Sequence, residues 1–356
     1  MKILLIIKNF DFGGAENHVR ELANSLADAG EEVHLLGAKG RQISQLSKNV
    51  HYVPIRMRSA LLPFQFAYLL IYVIKHKIQI LHAHQRLPIL ISCIAGKITG
   101  IPVIATVHGR TRFDLRTSIS RNYPARIIFV SRHVLEISAK YDEIKSKSVI
   151  IPNWVSTPGK QPAKIPYSIS YVSRIDRKHS ALILMIIREI LYDLAFKYPE
   201  MTFRIIGEGN YLEQIRKEAE LLNRKLNREV CIICGFILNV KEKLQESGLI
   251  IGVGRVAIEG LASGVPVLSM NQQRMGSVIS LENYADYKLK NFVSTESAPP
   301  DKAGLMNILT DFFRNRETCE KETLMLKELV ISDYDPVKIT GEIIEIYRSA
   351  INQKFD

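Results

Sequence analysis

The chain alternates short apolar runs with longer segments whose apolar residues recur at helical spacing. In Ala15–Ala29, Val19, Leu22 and Leu26 share one face, and Gly30 follows as a typical helix end. The strands predicted in the N-terminal half are Lys2–Ile7, Glu32–Leu36, Ile78–Ala83, Val103–Val107, Ala125–Val130 and Ser148–Ile151. Strands that alternate with helices are typical of a parallel sheet with crossover helices.

A second series of the same kind follows. Its predicted strands are Ser168–Val172, Thr202–Ile206, Glu229–Ile233, Leu249–Ile251 and Pro266–Ser269, and its longer helices are Ala181–Tyr198 and Tyr211–Leu226. The proline-rich segment Ser156–Pro166 separates the two series and has the composition of a linker. We therefore predict one domain over residues 1–157 and a second over 165–335. Residues 336–356 carry isoleucines at helical spacing, and we expect them to pack back on the first domain.

Charge is concentrated in the N-terminal half of the chain. The net charge is +12, and residues 1–150 hold 21 Lys and Arg against 10 Asp and Glu. No acidic residue lies between Glu32 and Asp114, whereas 11 basic ones do. A one-sided stretch of this kind indicates an anionic partner. A membrane surface or a phosphorylated substrate fits better than nucleic acid, because no nucleic-acid-binding motif is present.

The longest apolar run, Ala60–Ile74, is too short to span a bilayer. The pattern favours a buried helix with a basic end at residues 75–77, and the charge favours a helix that docks on a membrane. The four cysteines do not form a disulfide framework for a chain of this size. We therefore expect a cytoplasmic protein that associates peripherally with the inner face of the membrane.

A glycine-rich loop, Gly252-x-Gly254-x-x-Ala257, stands between a strand and a helix. A dinucleotide site would need a carboxylate at the end of the next strand, but Asn271-Gln272-Gln273 is found there. The loop instead offers backbone N–H groups at a helix N-terminus, an arrangement that suits any phosphate. Arg255 adds positive charge. Glu259 is either a partner of the helix dipole or a hydrogen-bond acceptor for a ribose diol.

The stretch "IEGLASGVPVLS" resembles the E-x-x-x-x-G-x-P-V end of the retaining nucleotide-sugar glycosyltransferases of family 4. Further fragments resemble that family in the same order over nearly the whole chain: "FGGAENHVRELANSLADAGEEVHLL", "ILHAHQ", "IPVIATVHG", "ARIIFVS", "VIIPN", "YVSRID", "FRIIGEGN" and "CGFI". The resemblance implies the α/β GT-B fold, in which two Rossmann-like parallel-sheet domains face each other across a cleft. It also implies transfer of a sugar, with retention and without a metal, from a nucleotide diphosphate donor, a UDP-sugar in the first place. The acceptor would be a glycan or a lipid-linked molecule in cell-envelope or polysaccharide biosynthesis.

The same resemblance assigns roles to individual residues. His108 would face the donor sugar, and the amides of Gly13 and Gly14 would face the reacting phosphate and the acceptor. Arg174 and Lys178 would grip the diphosphate, although the spacing is shorter than in the family, so Arg177 competes with Lys178. The remaining donor-binding positions are Gly207, Gly209, Phe236, Ile237, Gly252, Val253, Gly254, Arg255, Val256 and Glu259. No metal is expected, and His82 and His84 are interpreted as structural or acceptor-lining residues.

One departure from the family stands out. The first of the family's two glutamates would fall at Ile251, which cannot hydrogen-bond sugar hydroxyls, and Trp154 stands where the family often has glycine. Either the Gly252–Arg255 loop recognises the sugar, or the donor is atypical, or catalysis is lost. A catalytically inactive GT-B binding partner and a nucleotide-sugar epimerase of the same fold therefore remain open as alternatives.

Overall fold

The computed structural model describes residues 1–11, 13–56, 61–109, 115–137, 142–155, 162–295 and 297–353. The chain divides into two compact units. Unit 1 comprises Met1–Trp154 and Asp335–Asp356, and unit 2 comprises Val155–Tyr334. The first six residues of the predicted linker, 156–161, lie outside the described part.

Unit 1 is built on a parallel sheet. Its strands are β1 (Lys2–Ile6), β2 (Glu32–Gly37), β3 (Val50–Pro54), β4 (Ile80–His84), β5 (Val103–Val107), β6 (Arg126–Phe129) and β7 (Ser148–Ile150). They lie in the order β3-β2-β1-β4-β5-β6-β7. The sequence did not predict β3, a short edge strand on which His51 and Pro54 are exposed, so that it lacks a continuous apolar run.

The helices of unit 1 cover this sheet. They are α1 (Gly14–Asp28), α2 (Leu62–Lys75), α3 (Arg86–Thr99), α4 (Ser118–Asn122), α5 (Arg132–Glu136) and α6 (Asp142–Lys145), with a 3₁₀ turn at Arg41–Gln45. The C-terminal helix, Pro336–Asn352, belongs to the same unit and contacts α1. Its Tyr347 is fully buried, and the phenol bonds Nδ1 of His82 at 2.6 Å.

Helix α2 is apolar on both of its faces. Leu69 and Val73 point into the core, whereas Phe64, Ile71 and Ile74 are 77%, 65% and 67% exposed. The interpretation of this segment as a buried helix was therefore wrong: half of it is buried, and an apolar stripe faces outward. No helix in the described part of the chain is long and apolar enough to cross a membrane.

Unit 2 is a second sheet covered by helices. Its strands are β8 (Ile165–Val172), β9 (Thr202–Ile206), β10 (Cys231–Gly235), β11 (Ser247–Gly252), β12 (Val267–Asn271) and β13 (Arg274–Val278), in the order β10-β9-β8-β11-β12-β13. All neighbours are parallel except β13, which is antiparallel to β12. The sequence missed β13. It follows a tight turn in which Oδ1 of Asn271 accepts the N–H groups of Gln273 and Arg274.

The helices of unit 2 are α7 (Arg177–Met185), α8 (Leu191–Lys197), α9 (Leu212–Leu226), α10 (Val240–Gln245), α11 (Arg255–Ala262), α12 (Tyr284–Leu289), α13 (Lys302–Arg314) and α14 (Arg316–Asp333). A π-helical turn, Ile186–Ile190, joins α7 to α8. The predicted helix Ala181–Tyr198 therefore begins four residues earlier, at Arg177. The reason is that the Asp176 side chain caps it.

Candidate active site

Each sheet contains a point at which the strand order reverses. In unit 2 the chain proceeds from β8 outward to β9 and β10, then returns to β11 on the other side of β8. The loops after β8 and β11 therefore leave the sheet in opposite directions and open a crevice at the carboxyl ends of these strands. Open α/β sheets bind their ligands at such a point. Arg174 follows β8, and Gly252 ends β11, so the structure places both predicted loops there.

The loop after β8 leads directly into α7. Arg174 and Lys178 are both exposed. Oδ1 of Asp176 accepts the N–H groups of Lys178 at 2.9 Å and of His179 at 3.0 Å. Lys178 thus lies in the first turn of a capped helix and not in a loop. The N-terminal end of α7 adds its own partial positive charge to that of the two basic side chains.

Gly207 and Gly209 follow β9 and pack against the backbone of the Arg174 loop. A Cβ at Gly207 would lie 1.9 Å from the carbonyl oxygen of Ser173, and one at Gly209 would lie 2.1 Å from that of Ile175. The N–H of Ile175 also donates to the carbonyl of Glu208 at 2.9 Å. Glycine is thus required at both positions for close approach of two loops, which fixes where Arg174 begins.

The segment after β10 is tied to the same loops. The N–H of Gly207 donates to the carbonyl of Gly235 at 2.8 Å. Gly235 has a φ of 65°, and it turns the chain into Phe236 and Ile237, both half-buried. The loops that carry Arg174, Gly207 and Phe236 are therefore neighbours along one edge of the sheet.

The glycine-rich loop after β11 differs from the prediction in one respect. Gly254 has a φ of 56°, and its N–H donates to the carbonyl of Asn291 at 2.9 Å. This amide is therefore engaged within the protein, so the prediction that it holds a phosphate is corrected. The amides of Arg255 and Val256 begin α11, where a helix supplies no acceptor of its own. Gly252 is buried and Val253 half-buried beside them.

Two predicted ligand-binding residues are bonded to each other. Nε of Arg255 donates to Oε1 of Glu259 at 2.7 Å, and the two side chains are 11% and 13% exposed. A carboxylate can accept about four hydrogen bonds, so this ion pair orients Glu259 without saturating it. Ile251, in contrast, is fully buried in the core of unit 2 beside Tyr171 and Leu268, its partners on β8 and β12.

In unit 1 the strand order reverses between β1 and β4. Gly13 and Gly14 begin α1 after β1, and a Cβ at Gly14 would meet nothing within 4 Å. Glu16, one turn further, is buried and accepts a hydrogen bond from Nε2 of Gln85 at 3.1 Å. Gln85 follows β4, and it was not predicted. Only its place after the "LHAH" strand could have pointed to it.

His108 follows β5 and is half-buried. Its Nε2 is hydrogen bonded to Nδ1 of the buried His84 at 3.1 Å. The ring of His18, on α1, lies edge-on to His108 with centroids 4.8 Å apart, and the buried Trp154 packs on His18 at the same centroid distance. Burial and the neighbouring histidines hold the pKa of His84 well below its ordinary value. Sequence reasoning missed His18, because it comes from a different element.

His82 has a structural role. Its Nδ1 is bonded to Tyr347 of the C-terminal helix, and its Nε2 to Oγ1 of Thr106 at 2.7 Å. Burial and the nearby His108 lower the pKa of His82 to about 3. The imidazole is therefore neutral, and both of its ring nitrogens are bonded to the protein.

Comparison with known proteins identifies these two sheets. Residues 12–157 match the model of the Glycosyltransferase Family 4 domain. The chain is similar to the phosphatidyl-myo-inositol mannosyltransferase of Mycolicibacterium smegmatis, with 23% identity over 84% of this chain and 82% of that protein. The chain belongs to the family 4 glycosyltransferases.

Two further similarities bear on this family 4 glycosyltransferase. A human phosphatidylinositol N-acetylglucosaminyltransferase is 22% identical over 60% of the chain, and the match spans about half, 49%, of the human protein. The crystal structure of Anabaena HepE in complex with UDP superimposes with a TM-score of 0.76 at 17% identity, over 98% of this chain and all of that one. The fold of this glycosyltransferase is therefore GT-B, as the sequence predicted.

Proposed function

We propose that this glycosyltransferase transfers a hexose, with retention and without a metal cofactor, from a UDP-sugar to a lipid-linked or glycan acceptor in cell-envelope or polysaccharide biosynthesis. The observation that carries the proposal is the position of the predicted donor-binding loops at the strand reversal of unit 2. Three neighbouring loops bring Arg174, Gly207 and Phe236 to one edge of the sheet, and β11 brings Gly252 to the same edge.

The donor would be bound by unit 2. Arg174, Lys178 and the first amides of α11 would neutralise the diphosphate, which gains charge as it leaves. Because these groups supply positive charge themselves, no divalent ion is needed for that step. Glu259, oriented by Arg255, would accept the ribose hydroxyls. Uridine is the base we propose, since HepE was crystallised with UDP and with UDP-glucose.

Unit 1 would receive the acceptor. The amides of Gly13 and Gly14 stand at the start of α1, where Gly14 leaves open space. His108 would contact the donor sugar, an assignment that comes from the family resemblance. No protein nucleophile is assigned, and the departing phosphate would assist deprotonation of the acceptor hydroxyl.

A membrane-held acceptor is favoured by the surface of unit 1. The exposed stripe of α2 consists of Phe64, Tyr68, Ile71 and Ile74, and Lys75 follows it. This stripe lies within the segment that has no acidic residue. An apolar stripe with basic neighbours suits insertion into the interface of an anionic bilayer. The names of the human and mycolicibacterial relatives point to a phosphatidylinositol acceptor for those proteins. We therefore propose a cytoplasmic enzyme that docks peripherally on the membrane and does not bind nucleic acid.

Calorimetric titration with UDP, GDP, ADP and their sugar conjugates, with and without EDTA, tests the donor site. We expect saturable binding of UDP that EDTA leaves unchanged. Glu259→Ala should weaken it by about 10–100-fold, the cost of one hydrogen bond to a charged group. Glu213→Ala, on an exposed carboxylate of α9, is the matched control.

Two results would favour the alternatives. A wild-type protein that binds no nucleotide would support an inactive partner. Conversion of a UDP-sugar to its epimer without acceptor, followed by NMR, would support an epimerase.

A further inference from the structure

Three histidines of unit 1 converge from three different elements. His18 comes from α1, His84 from the end of β4 and His108 from the residue after β5. One ring nitrogen of each lies within 4.8 Å of the others, and Nδ1 of His84 is 3.1 Å from Nε2 of His108. Among the described residues this is the one group of three or more His, Cys, Asp or Glu side chains with that geometry.

The spacing of the rings matches a tetrahedral metal site. With Zn–N bonds of about 2.0–2.1 Å, two ligand nitrogens lie about 3.3 Å apart, and the centroids of their rings about 5 Å apart. The three centroid distances here are 4.8 Å, 5.4 Å and 5.6 Å. An ion could therefore be bound after small rotations of the rings.

The surroundings of the cluster orient the ligand atoms. Nδ1–H of His18 donates to Oδ1 of Asn153 at 3.0 Å, so the lone pair of that ring lies on Nε2. A histidine that binds a metal typically donates its other N–H to an oxygen in this way. Nε2 of the buried His84 has no hydrogen-bond partner in the part of the chain that the structure describes. His108 is half-buried and provides access from solvent.

We propose that His18, His84 and His108 form a binding site for a divalent transition-metal ion, Zn²⁺ in the first place, with water as the fourth ligand. A set of imidazoles without a carboxylate selects Zn²⁺, Cu²⁺ or Ni²⁺ over Mg²⁺ or Ca²⁺. Because His108 is proposed to contact the donor sugar, occupancy of the site would inhibit transfer. This last consequence rests on the proposed function, whereas the metal site does not.

A second group of histidines in unit 1 serves as an internal comparison. The ring of His34 contacts those of His51 and His76, with centroids 4.9 Å and 5.3 Å apart. Both ring nitrogens of His34 are already hydrogen bonded, one to Tyr72 and one to Glu32. Ring proximity alone therefore does not make a site, and His51→Gln is a matched control.

The test uses the metal-free full chain, titrated with Co²⁺ in the visible range and with Zn²⁺ by calorimetry. We expect one equivalent to bind with a tetrahedral Co²⁺ spectrum. Asn153→Ala should weaken binding by about 10–100-fold, and His18→Gln by at least as much. His51→Gln should bind like the wild type. X-ray absorption of the Zn²⁺-loaded wild type, with three imidazoles expected, decides the question even if a variant fails to fold.

The proposal is overturned if the wild type shows no tetrahedral Co²⁺ spectrum, or if His18→Gln and His51→Gln bind Zn²⁺ equally. A transfer assay with added Zn²⁺ then tests the consequence. Binding without inhibition would confirm the metal site and contradict the role proposed for His108.

Discussion

Nε of Arg255 donates a hydrogen bond to Oε1 of Glu259 at 2.7 Å, one helical turn further along α11. The sequence suggested that the first would hold a phosphate and the second a ribose. The structure shows that each also holds the other, with both side chains largely removed from solvent. Recognition of the donor by either residue therefore depends on the presence of its partner.

Breaking this pair should lower stability as well as donor affinity. Glu259→Gln leaves a largely buried guanidinium without its counter-charge, at a cost of about 1–3 kcal/mol. Arg255→Gln should cost a similar amount. Because the residues are in contact, the double variant should lose less than the sum of the two. Thermal unfolding of all four proteins measures this. Strict additivity would show that the ion pair contributes nothing.

Restoring the glutamate of the family at position 251 should harm the protein. Ile251 is fully buried between β8 and β12, so Ile251→Glu places a carboxylate in the core, at a cost of about 3 kcal/mol or more. Ile251→Val should cost only about 0.5–1.5 kcal/mol. The melting temperature and the transfer rate are measured for both. A stable and faster Ile251→Glu enzyme would mean that this side chain faces the donor.

Membrane docking should depend on the outward face of α2. Phe64→Ser/Ile71→Ser removes two exposed apolar side chains and should weaken binding to anionic vesicles at least about tenfold. Met325→Ser/Leu329→Ser, on the exposed face of α14, is the matched control and should bind normally. Raised salt should also weaken binding. Co-sedimentation unaffected by both the α2 variant and salt would contradict the assignment.

Unit 1 should lose stability at mildly acidic pH. Burial lowers the pKa of His34 below its ordinary value of 6.5, so the unfolded chain binds this proton more readily than the folded one. The contribution of His34 to stability is complete above pH 6.5 and declines as the pH falls toward the lower folded-state pKa. The slope for one such group is at most about 1.4 kcal/mol per pH unit.

Fluorescence of Trp154, the one tryptophan of the chain, reports unfolding of unit 1 in urea. His34→Gln should make the pH dependence shallower between pH 6.5 and 5, while His51→Gln, on the exposed edge strand, should leave it unchanged. His82 contributes with the same sign in both variants. Equal slopes in the two variants would show that His34 is not the titrating group.

Much of the fold could be predicted because strands and helices carry their periodicity locally. Val103–Val107 and Thr202–Ile206 were predicted with their observed bounds, and most other strands to within a few residues. The edge strands β3 and β13 were missed because a short, half-exposed strand lacks a continuous apolar run. The Arg255–Glu259 pair was visible as an i, i+4 spacing, but its significance was not recognised.

The sequence by itself determined the two α/β series, the loops that follow their strands and the family to which the chain belongs. Only the tertiary structure decided which side of α2 is exposed, because a helix that is apolar on every face carries no directional signal. It alone also decided that Ile251 points into a core, that Asn291 engages the amide of Gly254, and that His18 meets His84 and His108. These contacts join residues that are distant in the chain, and strand order, which local patterns do not encode, brings them together.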